Sequence, residues 1–123
     1  MVAEITKDEI TELNKKIIEE FGGSTGFQNE GNLEFVLAKV KNAKDVFRKA
    51  AELMYGINQG HPFLDGNKRT AFEAAKIFLL ANNIELIASE KEVEEFMVKM
   101  AQPEKISIKE TEIWIREHGK KKI

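Results

Sequence analysis

Asn67-Lys68-Arg69-Thr70-Ala71-Phe72-Glu73-Ala74-Ala75-Lys76-Ile77-Phe78-Leu79-Leu80-Ala81 decides how the chain folds. Its apolar residues cover nearly every direction around a helix, and a helix apolar all round is normally buried among others. The rest of the sequence supplies those others. Thr6 with Glu9, Ser89 with Glu92 and Ser107 with Glu110 each have the form of a capping box. In such a box the hydroxyl accepts from the third helical amide and the glutamate reaches back to the cap amide. Helical apolar spacing follows each. Ile10, Leu13, Ile17 and Ile18 follow the first, and Val93, Phe96, Met97 and Met100 the second. Ile106, Ile108, Ile113 and Trp114 frame the third, with Gly119 where a residue just past a helix end belongs. Residues 32–44 gather Leu33, Val36, Leu37 and Val40 on one face, and residues 45–59 gather Val46, Ala50, Leu53, Met54 and Ile57. Ile84-Glu85-Leu86-Ile87 reads as a short extended piece, and one strand alone makes no sheet. The expectation is an all-α fold, a compact bundle of about six helices around a buried central helix, with residues 1–123 forming a single domain.

Composition bounds the function. Of the 123 residues, 42% are hydrophobic and 33% charged, the balance of a soluble globular chain. A chain of this length buries roughly 65% of its unfolded surface, so it needs no disulfide or metal staple. Cysteine is absent, which excludes disulfides, thiol nucleophiles and cysteine-ligated metals. A net charge of −2 argues against a broad nucleic-acid surface. The longest apolar run, Ile77–Ala81, falls far short of the about 20 residues that span a bilayer. The first ten residues carry acids and no apolar core of a signal peptide. A cytoplasmic protein without membrane or direct nucleic-acid contact is expected. Two distant histidines and no H-E-x-x-H pattern leave a zinc hydrolase unsupported.

The chemistry concentrates just before the central helix, in Gly60-His61-Pro62-Phe63-Leu64-Asp65-Gly66-Asn67-Lys68-Arg69-Thr70. A helix start presents unpaired amides and a partial positive charge, which favour an anion. Gly66 lets the backbone approach a ligand closely. Lys68 and Arg69 oppose the helix dipole there, so an anion such as phosphate would compensate them. Asp65 is a hard oxygen ligand, and magnesium commonly takes one or two carboxylates together with substrate phosphates. His61 can exchange a proton near neutral pH. Base, metal carboxylate, amide cradle and cationic clamp within nine residues form the parts list of phosphoryl or nucleotidyl transfer. Structural roles are open as well. Asp65 and Asn67 can cap the central helix, and Arg69 can serve a salt bridge at the core edge. His118 and Trp114 read as helix packing.

The same residues resemble the signature of the Fic/Doc family, H-x-F-x-[DEN]-[GA]-N-[GK]-R, and Gly66-Asn67-Lys68-Arg69 resembles its Doc branch. Phe21-Gly22-Gly23-Ser24-Thr25-Gly26 followed by Leu33 is similar to the glycine-rich segment after the first helix of that branch. The resemblance implies roles. His61 would deprotonate the target hydroxyl, and Phe63 would anchor the loop in the core. Asp65 would bind the Mg2+ that bridges the phosphates of ATP. Gly66 and Asn67 would cradle anions, and Lys68 and Arg69 would contact phosphates.

It also implies a reaction. Most adenylylating relatives carry glycine where this chain has Lys68, and a second arginine where it has Phe72. The lysine accompanies transfer of the γ-phosphate of ATP in the Doc branch. The implied protein is a toxin that phosphorylates a threonine or serine of elongation factor Tu and arrests translation. Adenylyl transfer to a protein hydroxyl is the alternative reaction, and an idle module that binds only its antitoxin is the alternative class. Some Doc proteins have asparagine at the position of Glu73 and arginine at that of Gln59, so nucleotide contacts differ here. Self-restraining relatives carry [S/T]-x-x-x-E-[G/N], and no serine or threonine of this chain has glutamate four residues on. The resemblance therefore implies a Phd-like antitoxin acting in trans.

Overall fold

The computed structural model describes residues 2–102 and 106–122. They form α1 (Lys7–Phe21), α2 (Glu30–Asn42), α3 (Val46–Gly60), α4 (Asn67–Ala81), α5 (Glu90–Met100) and α6 (Ile108–His118), with short strands β1 (Ile84–Leu86) and β2 (Gly119–Lys121). All three predicted capping boxes close, at Thr6, Ser89 and Ser107. Asn29 and Asp45 cap α2 and α3 by accepting from the amides of Asn32 and Arg48. Each such cap is worth about 1 kcal/mol.

α3 packs against α2, α4 and α6, and α4 also packs against α1 and β1. Leu33, Leu53, Ile57, Leu79 and Ile115 lose all their exposed surface in this core. Each contributes about 1.5–3 kcal/mol of burial. Small residues set the spacing. Ala50, Ala51, Ala71, Ala74 and Ala75 are fully buried on α3 and α4. α4 is enclosed by its neighbours on all sides but one, where Ile77 and Leu80 remain exposed. The apolar character that marks this helix as central therefore runs out onto one open face.

The extended piece at Ile84 does have a partner. β1 pairs antiparallel with β2, Ile84 opposite Lys121 and Leu86 opposite Gly119. The strand expected to stand alone is completed by the lysine-bearing segment after α6. Gly119 accordingly is not a left-handed residue past a helix end. It has φ −91 and ψ 132, extended backbone that begins β2. Its missing side chain matters for space, because a Cβ there would lie 2.9 Å from the Ile115 carbonyl. Among the described residues no helix is long and apolar enough to cross a membrane.

Candidate active site

The loop from His61 to Gly66 joins α3 to α4, and the segment after α1 holds it from outside. The Pro62 carbonyl accepts from the amides of Gln28 and Asn29 at 2.8 and 3.0 Å, and the Leu64 amide donates to Gly26 at 3.0 Å. Asn32 Nδ2 donates to the Gly60 carbonyl at 2.6 Å. Phe63 is 1% exposed, and its ring stacks on Phe27 with centroids 5.2 Å apart. Phe63 thus sits in the core as expected.

From inside, two asparagines fix the loop. Asn67 Oδ1 accepts from the Phe63 amide and its Nδ2 donates to the Phe63 carbonyl, both at 2.9 Å. Its side chain is consumed within the protein, so any anion contact of Asn67 falls to its backbone N–H. Asn14, on the buried face of α1, donates through Nδ2 to the Asp65 carbonyl at 3.0 Å and to Thr70 Oγ1 at 3.1 Å. Sequence reasoning passed over Asn14. Its signal was a lone amide between Ile10 and Ile17 on an apolar helix face, where buried polar groups must find partners.

α4 begins differently from the other helices. Its N-cap is Gly66, left-handed at φ 77 and ψ 15, and no side chain caps it. A Cβ at Gly66 would lie 3.2 Å from Ile18 and 3.4 Å from Asn14. Neither Asp65 nor Asn67 caps the helix, although both types can. The Asp65 Oδ2 instead accepts from the Ser24 amide at 2.7 Å, across the glycine-rich turn. The first-turn amides of α4 are left for an external acceptor.

Beside this start lies a cleft of about 660 Å³ whose lining includes Phe21, Lys68, Arg69, Phe72, Glu73 and Glu94. Lys68 Nζ is 3.4 Å from Glu94 Oε1, an exposed pair across the cleft. Arg69 makes no salt bridge among the described residues. Its Cζ lies 3.7 Å from the centre of the Phe21 ring. Phe72, expected in the core, is half-buried and lines the cleft. Gln59 donates to the Met100 carbonyl, which ties α3 to the end of α5. His61 is exposed, with φ 44 at the end of α3. His61 caps the end of α3 and Asp65 immediately precedes Gly66, and neither lines the cleft that Lys68 and Arg69 enter.

The donor set fits a nucleotide and its metal. Free amides and two cations suit phosphates. One exposed carboxylate suits magnesium, which needs few protein ligands. No group of three or more metal-binding side chains occurs among the described residues.

Residues 4–79 match the model of the Fic/DOC family, and the chain belongs to it. It is similar to the protein kinase doc of Escherichia phage P1, 30% identical over 91 residues that span 69% of this chain and 72% of that protein. It is also similar to the toxin Doc of Mycolicibacterium smegmatis (strain ATCC 700084 / mc(2)155), 35% identical over 75 residues, 55% of this chain and 58% of that one.

Proposed function

We propose that this protein is the toxin of a toxin–antitoxin pair and a protein kinase that transfers the γ-phosphate of ATP to a threonine or serine hydroxyl of a translation factor resembling elongation factor Tu. The observation that carries the reading is the uncapped start of α4, with Gly66 left-handed and Lys68 and Arg69 entering one cleft. The relatives named protein kinase doc and toxin Doc support it. Lys68 supports phosphoryl over adenylyl transfer, since most adenylylating relatives carry glycine there. A Phd-like antitoxin would restrain the activity in trans.

In this reading His61 accepts the proton of the target hydroxyl. The hydroxyl oxygen bonds to the γ-phosphorus, the bond to the β,γ-bridging oxygen breaks, and ADP leaves. The amides of Asn67, Lys68 and Arg69 and the two side-chain cations hold phosphate oxygens, a role in which positioning and charge neutralisation do most of the work. Asp65 would hold Mg2+, which neutralises phosphate charge when bound. The side chains of Phe63, Asn67 and Asn14 keep the loop in register and touch no substrate, so Asn67 reaches the phosphate only through its backbone N–H.

The test is label transfer in a translation extract, with ATP labelled at the γ- or the α-phosphate and His61→Ala as control. Label from γ alone, lost in the variant, is the expected result. Label from α alone would replace the kinase with an adenylyltransferase. Toxicity on expression that disappears in His61→Ala would eliminate an idle antitoxin-binding module, whereas toxicity that survives the substitution would count against His61 as the base.

A further inference from the structure

Phe21 ends α1 and is 55% exposed. What lies on it is the Arg69 guanidinium, its carbon 3.7 Å from the ring centre. The two residues come from helices far apart in sequence and meet at the lip of the cleft that holds Lys68. Arg69 needs such a support. It stands in the first turn of α4, where the helix dipole repels a cation. Among the described residues no carboxylate pairs with it, in contrast to Lys68 and Glu94. A carboxylate would fix the guanidinium but neutralise it and occupy its N–H groups. An aromatic face fixes it through the π-system and leaves charge and N–H groups free for a planar, two-point grip on phosphate.

We propose that Phe21 is a positioning residue, whose ring orders the Arg69 guanidinium at the cleft mouth while leaving its donors for a nucleotide phosphate. The inference rests on Arg69 being a phosphate contact. The turn that follows strengthens it. Gly22 caps α1 with φ 89, and two residues on the Ser24 amide donates to Asp65 Oδ2. One short segment therefore fixes both the arginine and the carboxylate of the candidate site. Gly23 shows how closely: a Cβ there would lie 3.0 Å from Asp65 Cβ.

The test is calorimetric titration of the full chain with a non-hydrolysable ATP analogue and Mg2+. Parent, Phe21→Leu, Phe21→Trp, Arg69→Ala and the Phe21→Leu/Arg69→Ala double variant are compared, with thermal unfolding as the check on folding. Phe21→Leu keeps an apolar side chain but has no π face. It should weaken binding about two- to fivefold, the range of an exposed cation–π contact. Phe21→Trp should bind as the parent does. In the Arg69→Ala background Phe21→Leu should have no further effect. Phe21→Leu equal to the parent, or equally harmful with and without Arg69, would overturn the inference alone. A parent that binds no analogue, or an Arg69→Ala variant that binds as well as the parent, would overturn both the inference and the phosphate role beneath it.

Discussion

The side chain of Asn67 and the backbone of Phe63 bond to each other twice, donor to acceptor in both directions at 2.9 Å. Both residues are buried. The pair closes the loop that carries His61 and Asp65 onto the start of α4, in the manner of a tiny sheet made from one side chain and one peptide. In Asn67→Ala the amide and carbonyl of Phe63 lose their partners. Each orphaned buried group costs about 1–3 kcal/mol. We expect Asn67→Ala to lose about 2–4 kcal/mol in chemical denaturation and to lose transfer activity with it. A variant as stable as the parent would show that water replaces the amide and that the latch contributes nothing.

Gly56 lies inside α3, where alanine is ordinarily better by about 1 kcal/mol. Here a Cβ would stand 2.7 and 2.8 Å from the two Val36 methyl carbons of α2. Carbon atoms settle about 3.5–4.0 Å apart, so the helices would have to separate. Overpacking of this kind typically costs about 1–3 kcal/mol, which outweighs the propensity gain. Gly56→Ala should therefore destabilise, and Val36→Ala added to it should cost less than it does alone. Strict additivity of the two changes in denaturant midpoints would refute the contact.

How much of this was legible in the sequence depends on the range of the interaction. The caps at Thr6, Ser89 and Ser107 are settled within three residues, and all three form. Phe63 was expected as an anchor only through the resemblance of its loop to the family signature, and it is buried as that resemblance implies. The partner of Ile84 was not readable, because Lys121 reaches it only after α5 and α6 have folded back. The loop chemistry was legible as residue types but not as contacts. Asp65 and Asn67 suit a helix cap equally well by composition. In the fold Asp65 turns to Ser24 and Asn67 to Phe63, since the glycine-rich turn and the loop peptide offer them amides first. The openness of α4 at Ile77 and Leu80 was hidden for another reason: an apolar residue looks the same in sequence whether a neighbour covers it or not.

Acid should weaken the α5 end of the bundle through Glu92. Its carboxylate accepts from the Ser89 amide at 2.9 Å and stands 3.2 Å from His118 Nε2. The Ser89 amide first, and His118 second, hold its pKa below the ordinary 4.5. A carboxyl group with a depressed folded pKa stabilises the fold above its unfolded pKa, and that stability fades as pH falls through the folded value. Glu92→Gln keeps an oxygen for the cap but carries no charge. Below pH 4.5 the midpoint of thermal unfolding should therefore fall more steeply for the parent than for Glu92→Gln. Parallel curves would show that the Glu92 charge has no part in the acid response.

Lys68 and Glu94 face each other across the cleft at 3.4 Å, with side chains 45% and 65% exposed. An exposed pair of this kind contributes about 0–1 kcal/mol to stability, so Glu94→Gln should unfold at nearly the parental temperature. Its effect on binding should be larger than its effect on folding. Glu94 is the carboxylate that pairs with Lys68, and a phosphate proposed to bind there would have to displace it. Freed of that competitor, Lys68 in Glu94→Gln should bind an ATP analogue about two- to fivefold more tightly at low ionic strength. The advantage should shrink with added salt, because exposed charges are screened over about 10 Å at 0.1 M. Titrations at two salt concentrations check this. Unchanged affinity at both would mean that Lys68 meets the nucleotide from an arrangement Glu94 does not touch, and the cationic clamp would then rest on Arg69.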